Sequence, residues 1–166
     1  MPSIYLYVLA DYNAGAMVGD WIDVNNLDAD ELQKACERIR AKSKAMNPEE
    51  LAIADYDGFY GLTPCLSNVI EIARRIDEHS EAYALYALHV GEDYADDDNF
   101  EEAYCGAYDD FRDYADELFD ECYLHDVPDA IRYYIDYQKF ADDLIYGGDY
   151  FTEKGEGGTV HVFRGL

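Results

Sequence analysis

Carboxylates are the residues of this chain whose number and spacing can do chemistry. From Asp77 to Asp129 there are nineteen of them and a single cation, Arg112, so this stretch holds 18 of the 25 net negative charges. The most regular pattern is Asp109, Asp110, Asp113, Asp116, Glu117, Asp120 and Glu121, which fall at the i, i+3, i+4, i+7 spacing of one helix face. Fourteen residues, Asp109 to Cys122, rise roughly 21 Å as a helix. Seven carboxylates over that length give about one charge per 3 Å, against about 3.4 Å between phosphates along one strand of B-DNA. A second acidic run, Asp96, Asp97, Asp98, Glu101 and Glu102, stands just before it. Such an array holds negative charge at a fixed pitch, which suits a strongly basic partner.

Other chemistry finds no support in the spacing. His79, His89, His125 and His161 are scattered, and no HExxH or paired CxxC pattern suggests a metal site. The run from Asp93 to Glu102 resembles a calcium loop only in composition, because its ligand positions are wrong and no glycine sits at position 6. No nucleophile elbow or glycine-rich phosphate loop occurs, and Gly155–Gly158 lies in a hairpin turn. We therefore expect no catalytic residues, no metal and no cofactor. The cations Lys34, Arg38, Arg40, Lys42 and Lys44 read as the solvated face of a helix.

The whole-chain numbers agree with a folded acidic protein. The 166 residues are 49% hydrophobic and 15% aromatic, with 17 tyrosines, which disordered acidic tails do not have. A net charge of −25 repels nucleic acid and anionic membrane alike. There is no transmembrane run and no basic leader before Ile4. The cysteines Cys36, Cys65, Cys105 and Cys122 read as free thiols of a cytoplasmic protein.

These features need an α+β scaffold. Strands are expected at Ile4–Leu9, Val18–Val24 and Leu51–Tyr56, with a turn-rich loop at Asp11–Gly15. Asp28 with Glu31 forms a capping-box pattern for a helix from Ala29 to about Ala45, whose buried stripe is Leu32, Ala35, Cys36 and Ile39. Two short helices, or one kinked helix, follow over Asn68–Glu78 and Ser80–Val90, buried through Val69, Ile72, Ala73, Ile76, Ala84, Leu85 and Leu88. Glu92–Asn99 reads as an acidic linker and Phe100–Tyr104 as one helical turn. Gly106 argues for a strand over Tyr104–Tyr108, since glycine inside a helix costs about 1 kcal/mol relative to alanine. Asp109 then caps a helix to Cys122 with Phe111, Tyr114, Ala115, Leu118 and Phe119 inward. Helices follow over Ala130–Ile135 and Asp136–Tyr146, then a hairpin from Tyr150–Thr152 and Thr159–Phe163. The expected division is three small domains: 1–61, a three-stranded antiparallel sheet with a helix; 62–103, a helical piece; and 104–166, a three-stranded sheet with helices.

Three segments together resemble the ArdA antirestriction proteins: Tyr12-Asn-Ala-Gly15 followed by Gly19-Asp-Trp-Ile22, Ala52 to Phe59, and Tyr134 to Leu144. The resemblance implies an elongated, dimeric DNA mimic carried by mobile genetic elements. Such a protein occupies the DNA-binding groove of type I restriction–modification enzymes and protects incoming DNA. It also implies dimerisation through the C-terminal part, at positions around Ile131, Tyr134, Ile135 and Tyr137. By chemistry alone those four are ordinary apolar positions. Two other readings of the charge remain at this point: an acidic binding module or chaperone for another basic nucleic-acid-binding protein, and a plain solvated helix face.

Overall fold

In a computed structural model that describes residues 1–165, the chain divides into two compact units, Met1–Leu88 and His89–Leu166. The first begins with strand β1, Ser3–Val8, whose strict alternation buries Ile4, Leu6 and Val8. Helix α1, Leu9–Asn13, follows directly, where the sequence reads as a turn-rich loop. The reason is a distant contact. Asp11 is buried, and its carboxylate accepts a hydrogen bond from the Ser43 hydroxyl at 2.5 Å, which seats that turn against the end of the next helix.

Strand β2, Gly19–Asp23, and strand β3, Leu51–Asp57, flank β1 in an antiparallel sheet of order β2-β1-β3. Helix α2, Ala29–Lys42, carries the expected capping box: Asp28 accepts from the Glu31 amide at 2.8 Å and Glu31 accepts from the Asp28 amide at 3.1 Å. Its buried stripe is Leu32, Ala35, Cys36 and Ile39, laid against β1 and β2. Arg40 and Lys42 complement the negative end of the helix dipole in its last turn.

Helix α3, Val69–Val90, is the kinked pair that the sequence allowed. Ser80 breaks it with φ 57° and ψ −149°. The first half buries Val69, Ile72, Ala73 and Ile76. In the second half Tyr83 and Tyr86 fill the core with Ala84, while Leu88 is exposed rather than inward. Arg75 donates to the Tyr83 hydroxyl at 3.3 Å, which satisfies that buried phenol.

In the second unit, helix α4, Asp97–Ala103, starts inside the run expected to be a linker. Asp96 caps it by accepting from the Asn99 amide at 2.8 Å, and Phe100 and Ala103 are buried. Strand β4, Tyr104–Tyr108, has the limits that Gly106 implied. Helix α5, Phe111–Cys122, is capped by Asp110 and not by Asp109, with Asp113 completing the box. Helix α6, Asp129–Arg132, is one turn, and helix α7, Tyr137–Gly147, ends on Gly148 in the left-handed region. Strands β5, Tyr150–Lys154, and β6, Val160–Arg164, form the hairpin. The sheet is antiparallel with order β4-β6-β5, so central β6 buries His161, Val162 and Phe163. The fold is thus α+β with two three-stranded sheets. Among the described residues no helix is long and apolar enough to cross a membrane.

Gly106 has φ 129°, and a Cβ there would meet Tyr108 Cε2 at 3.1 Å. Gly106→Ala should therefore destabilise the protein by more than about 1 kcal/mol, because alanine is strained at that φ. Chemical denaturation measures this, and unchanged stability would contradict the strand geometry.

Candidate acidic interface

Helix α5 is built from two opposed stripes. Tyr114 and Ala115 are buried, with Phe111, Leu118 and Phe119 half-buried beside them. Phe119 meets Tyr137 and Phe140 of α7 with ring centroids at 5.1 Å in each case, and Tyr114 meets Tyr150 of β5 at 5.2 Å. This fixes the roll of the helix. The remaining arc then presents Asp113, Asp116, Glu117, Asp120 and Glu121. At about 1.5 Å per residue these five span roughly 12 Å, about one charge per 3 Å.

Ten of the twelve sequence-selected acids are exposed: Asp96, Asp98, Glu101, Glu102, Asp109, Asp110, Asp113, Glu117, Asp120 and Glu121. Asp97 and Asp116 are half-buried. The structure brings two of the groups together. Glu101 and Glu102 of α4 face Glu117 and Glu121 of α5 across a cleft of about 640 Å³, floored by Tyr104, Cys105, Tyr108 and Tyr114 and edged by Arg164. Sequence spacing finds α5 and one helical turn at Phe100–Tyr104 but not this convergence, which depends on β4 lying at the edge of the sheet beside β6.

Four of the twelve acids are held by neutral donors, beginning with Asp96 at the start of α4. Asp110 accepts from the Asp113 amide at 3.1 Å, and Asp113 accepts from the Asp110 amide at 3.4 Å. Asp120 accepts from the Tyr137 hydroxyl at 2.6 Å. That bond holds the Tyr137 phenol above its ordinary pKa, so it stays a protonated donor. Burial, with the Glu117 charge beside it, does the same for Tyr108. Burial also pushes the Tyr114 phenol up. Among the described residues one cation pairs with the stripe: Arg112, with Nε 3.6 Å from Asp116. Asp98, Glu101, Glu102, Asp109 and Glu121 have no side-chain hydrogen bond or ion pair among the described residues. No basic residue occupies the last turn of α5, so Asp120 and Glu121 sit against the negative end of the dipole. That placement costs about 0.3–1 kcal/mol for each charge.

The N-terminal unit treats its charges differently. Lys42 pairs with Asp20 at 2.6 Å, which lowers the Asp20 pKa, and Arg74 pairs with Glu71 and Glu78. Arg40 donates to the Glu49 carbonyl at 3.1 Å. Two of the cations of α2, Arg40 and Lys42, are thus spent locally.

The four C-terminal positions separate. Ile131 and Tyr134 are exposed, at 51% and 78%, while Ile135 and Tyr137 are half-buried. Tyr133 and Tyr146, which sequence reasoning passed over, are 92% and 85% exposed. The signal for Tyr133 was the clustering of tyrosines beside α6, a turn too short to bury both of its flanks; Tyr146 lies in the last turn of α7.

No curated protein matches the chain in sequence. The sequence profile of the family described as antirestriction protein (ArdA) matches residues 4–156. A chain of 166 residues matched over that range belongs to the ArdA family of antirestriction proteins.

Proposed function

We propose that this protein blocks restriction by imitating DNA, and that its target is a type I restriction–modification enzyme. The observation that carries this reading is the carboxylate stripe of α5, paired with a cation only at Asp116, about one charge per 3 Å on an aromatic-backed helix. Carboxylates at that pitch meet the lysines and arginines that otherwise contact phosphates. Phosphate-directed contacts supply most of the sequence-independent affinity for DNA, so the mimic needs no counterpart of the bases. Inhibition is then competitive and stoichiometric, with no chemical step. The contact set we assign is Asp96, Asp97, Asp98, Glu101, Glu102, Asp109, Asp110, Asp113, Asp116, Glu117, Asp120 and Glu121.

We further assign the exposed apolar surface around Ile131 and Tyr134 to a homodimer contact. Large exposed apolar side chains in such a cluster mark interaction surfaces. They lie on a chain whose net charge otherwise favours separation.

The deciding experiment titrates the protein into a type I restriction–modification enzyme bound to labelled DNA. We expect stoichiometric displacement that weakens steeply as salt rises, because the contacts are ionic. Displacement at substoichiometric amounts would mean an enzymatic inhibitor, and affinity flat across salt would end the phosphate-mimic reading. A second expectation concerns the free protein. Added sodium chloride should raise its melting temperature by screening self-repulsion; a fall would show that the acidic stripe is not under repulsive load. Third, Tyr134→Asp should shift the sedimentation profile from dimer towards monomer while leaving the circular dichroism spectrum unchanged. A dimer that survives this change places the interface elsewhere.

A further inference from the structure

The N-terminal sheet has a face that its own helix leaves open. Helix α2 covers the side of β1 that carries Ile4, Leu6 and Val8. On the other side the register sets two rows: Asp23, Ser3 and Asp57, then Trp21, Tyr5 and Asp55. Neighbouring strands lie about 4.8 Å apart, so Asp23 and Asp57 flank Ser3 at a backbone separation of about 10 Å. A shallow hollow of about 610 Å³ on this face is lined by Ser3, Trp21, Asp23, Asp55, Tyr56 and Asp57. Trp21 stands edge to face with Tyr5, centroids 5.6 Å apart, and remains 49% exposed. All three aspartates are exposed. Asp23 accepts only from the Asn25 amide and Asp55 only from the Tyr56 amide, each at 2.9 Å. Among the described residues no lysine or arginine pairs with any of the three.

We propose that this face receives an arginine side chain of a protein partner, its guanidinium over Trp21 and its N–H groups on the flanking aspartates. Charge complementarity selects a cation, and the indole selects its type. A planar guanidinium stacks on an aromatic face while donating in a fork, whereas an ammonium is a compact, strongly hydrated point charge. A bare metal ion fits less well, because the three carboxylates do not converge into one ligand set. The inference rests on the proposed mimicry only for the identity of the partner that brings the arginine.

Trp21 is the one tryptophan of the chain, so tryptophan fluorescence reports on the surroundings of this single side chain. The full-length protein is titrated with blocked tri-arginine peptide, blocked tri-lysine peptide and magnesium chloride at matched ionic strength. We expect a saturable change in Trp21 emission with tri-arginine, with affinity about fivefold or more above that of tri-lysine. Asp23→Asn with Asp57→Asn should weaken it about tenfold. Glu117→Gln with Glu121→Gln should leave it unchanged. If the double aspartate variant unfolds, Asp55→Asn alone should still weaken the response. Equal responses to both peptides, a response that survives the aspartate changes, or one reproduced by magnesium would overturn the proposal. DNA displacement by the wild-type protein is measured in parallel. Displacement without an arginine-selective signal overturns this inference alone, whereas an arginine-selective signal without displacement overturns the mimicry and leaves the docking face standing.

Discussion

Like-charge repulsion along α5 is the constraint to which the rest of the C-terminal unit answers. Asp113, Asp116, Glu117, Asp120 and Glu121 form five contacts at i,i+3 or i,i+4 spacing, each unfavourable by about 0.2–0.5 kcal/mol. Arg112 relieves one residue of them. The offset comes from behind. Phe119 packs on Tyr137 and Phe140, and Tyr114 packs on Tyr108 and Tyr150. Aromatic pairs of this geometry contribute about 0.5–1.5 kcal/mol beyond the area they bury. The ring contacts are of the size needed to offset the repulsion, and the high aromatic content of an acidic chain has a physical reason.

Tyrosine also resolves a second conflict. A carboxylate that must stay charged for a partner cannot be fixed by lysine or arginine, because the ion pair cancels the charge. A phenol or a backbone amide donates a hydrogen bond and leaves the charge in place. Tyr137 does this for Asp120, and the capping amides do it for Asp96, Asp110 and Asp113. The N-terminal unit shows the contrast. There Lys42 neutralises Asp20, and Arg74 and Arg75 share Glu71, while Asp23, Asp55 and Asp57 stay unpaired beside Trp21.

Local rules made much of this legible in the sequence. Gly106 revealed β4, the Asp28–Glu31 spacing revealed α2, and apolar periodicity revealed the stripe of α5. What stayed hidden depends on contacts distant in sequence. The α1 turn forms because Asp11 reaches Ser43, thirty-two positions away. Asp109 and Asp110 are chemically equal as caps, and only the packing of Phe111 and Tyr114 decides that Asp110 serves. The acids before Phe100 looked like a linker because charge runs usually are, yet burial of Phe100 and Ala103 recruits them into α4. The meeting of Glu101 and Glu102 with Glu117 and Glu121 follows from strand order, which no local pattern encodes.

The exposed acids that lack any neutralising group give the free protein a specific kind of local inconsistency. Sequence choices that agree at every level elsewhere conflict here: acids at the C-terminal end of a helix, like charges on one face, a tryptophan left in solvent. Such conflicts concentrate where function requires them. In the free protein the repulsion raises its free energy relative to any state in which cations arrive from outside. Under the proposed mimicry a basic partner would supply those cations, and relief of the repulsion would add to the affinity of the complex. Neutralising the stripe with internal lysines would stabilise the isolated helix and, on the proposed mimicry, remove the repulsion whose relief would favour a basic partner.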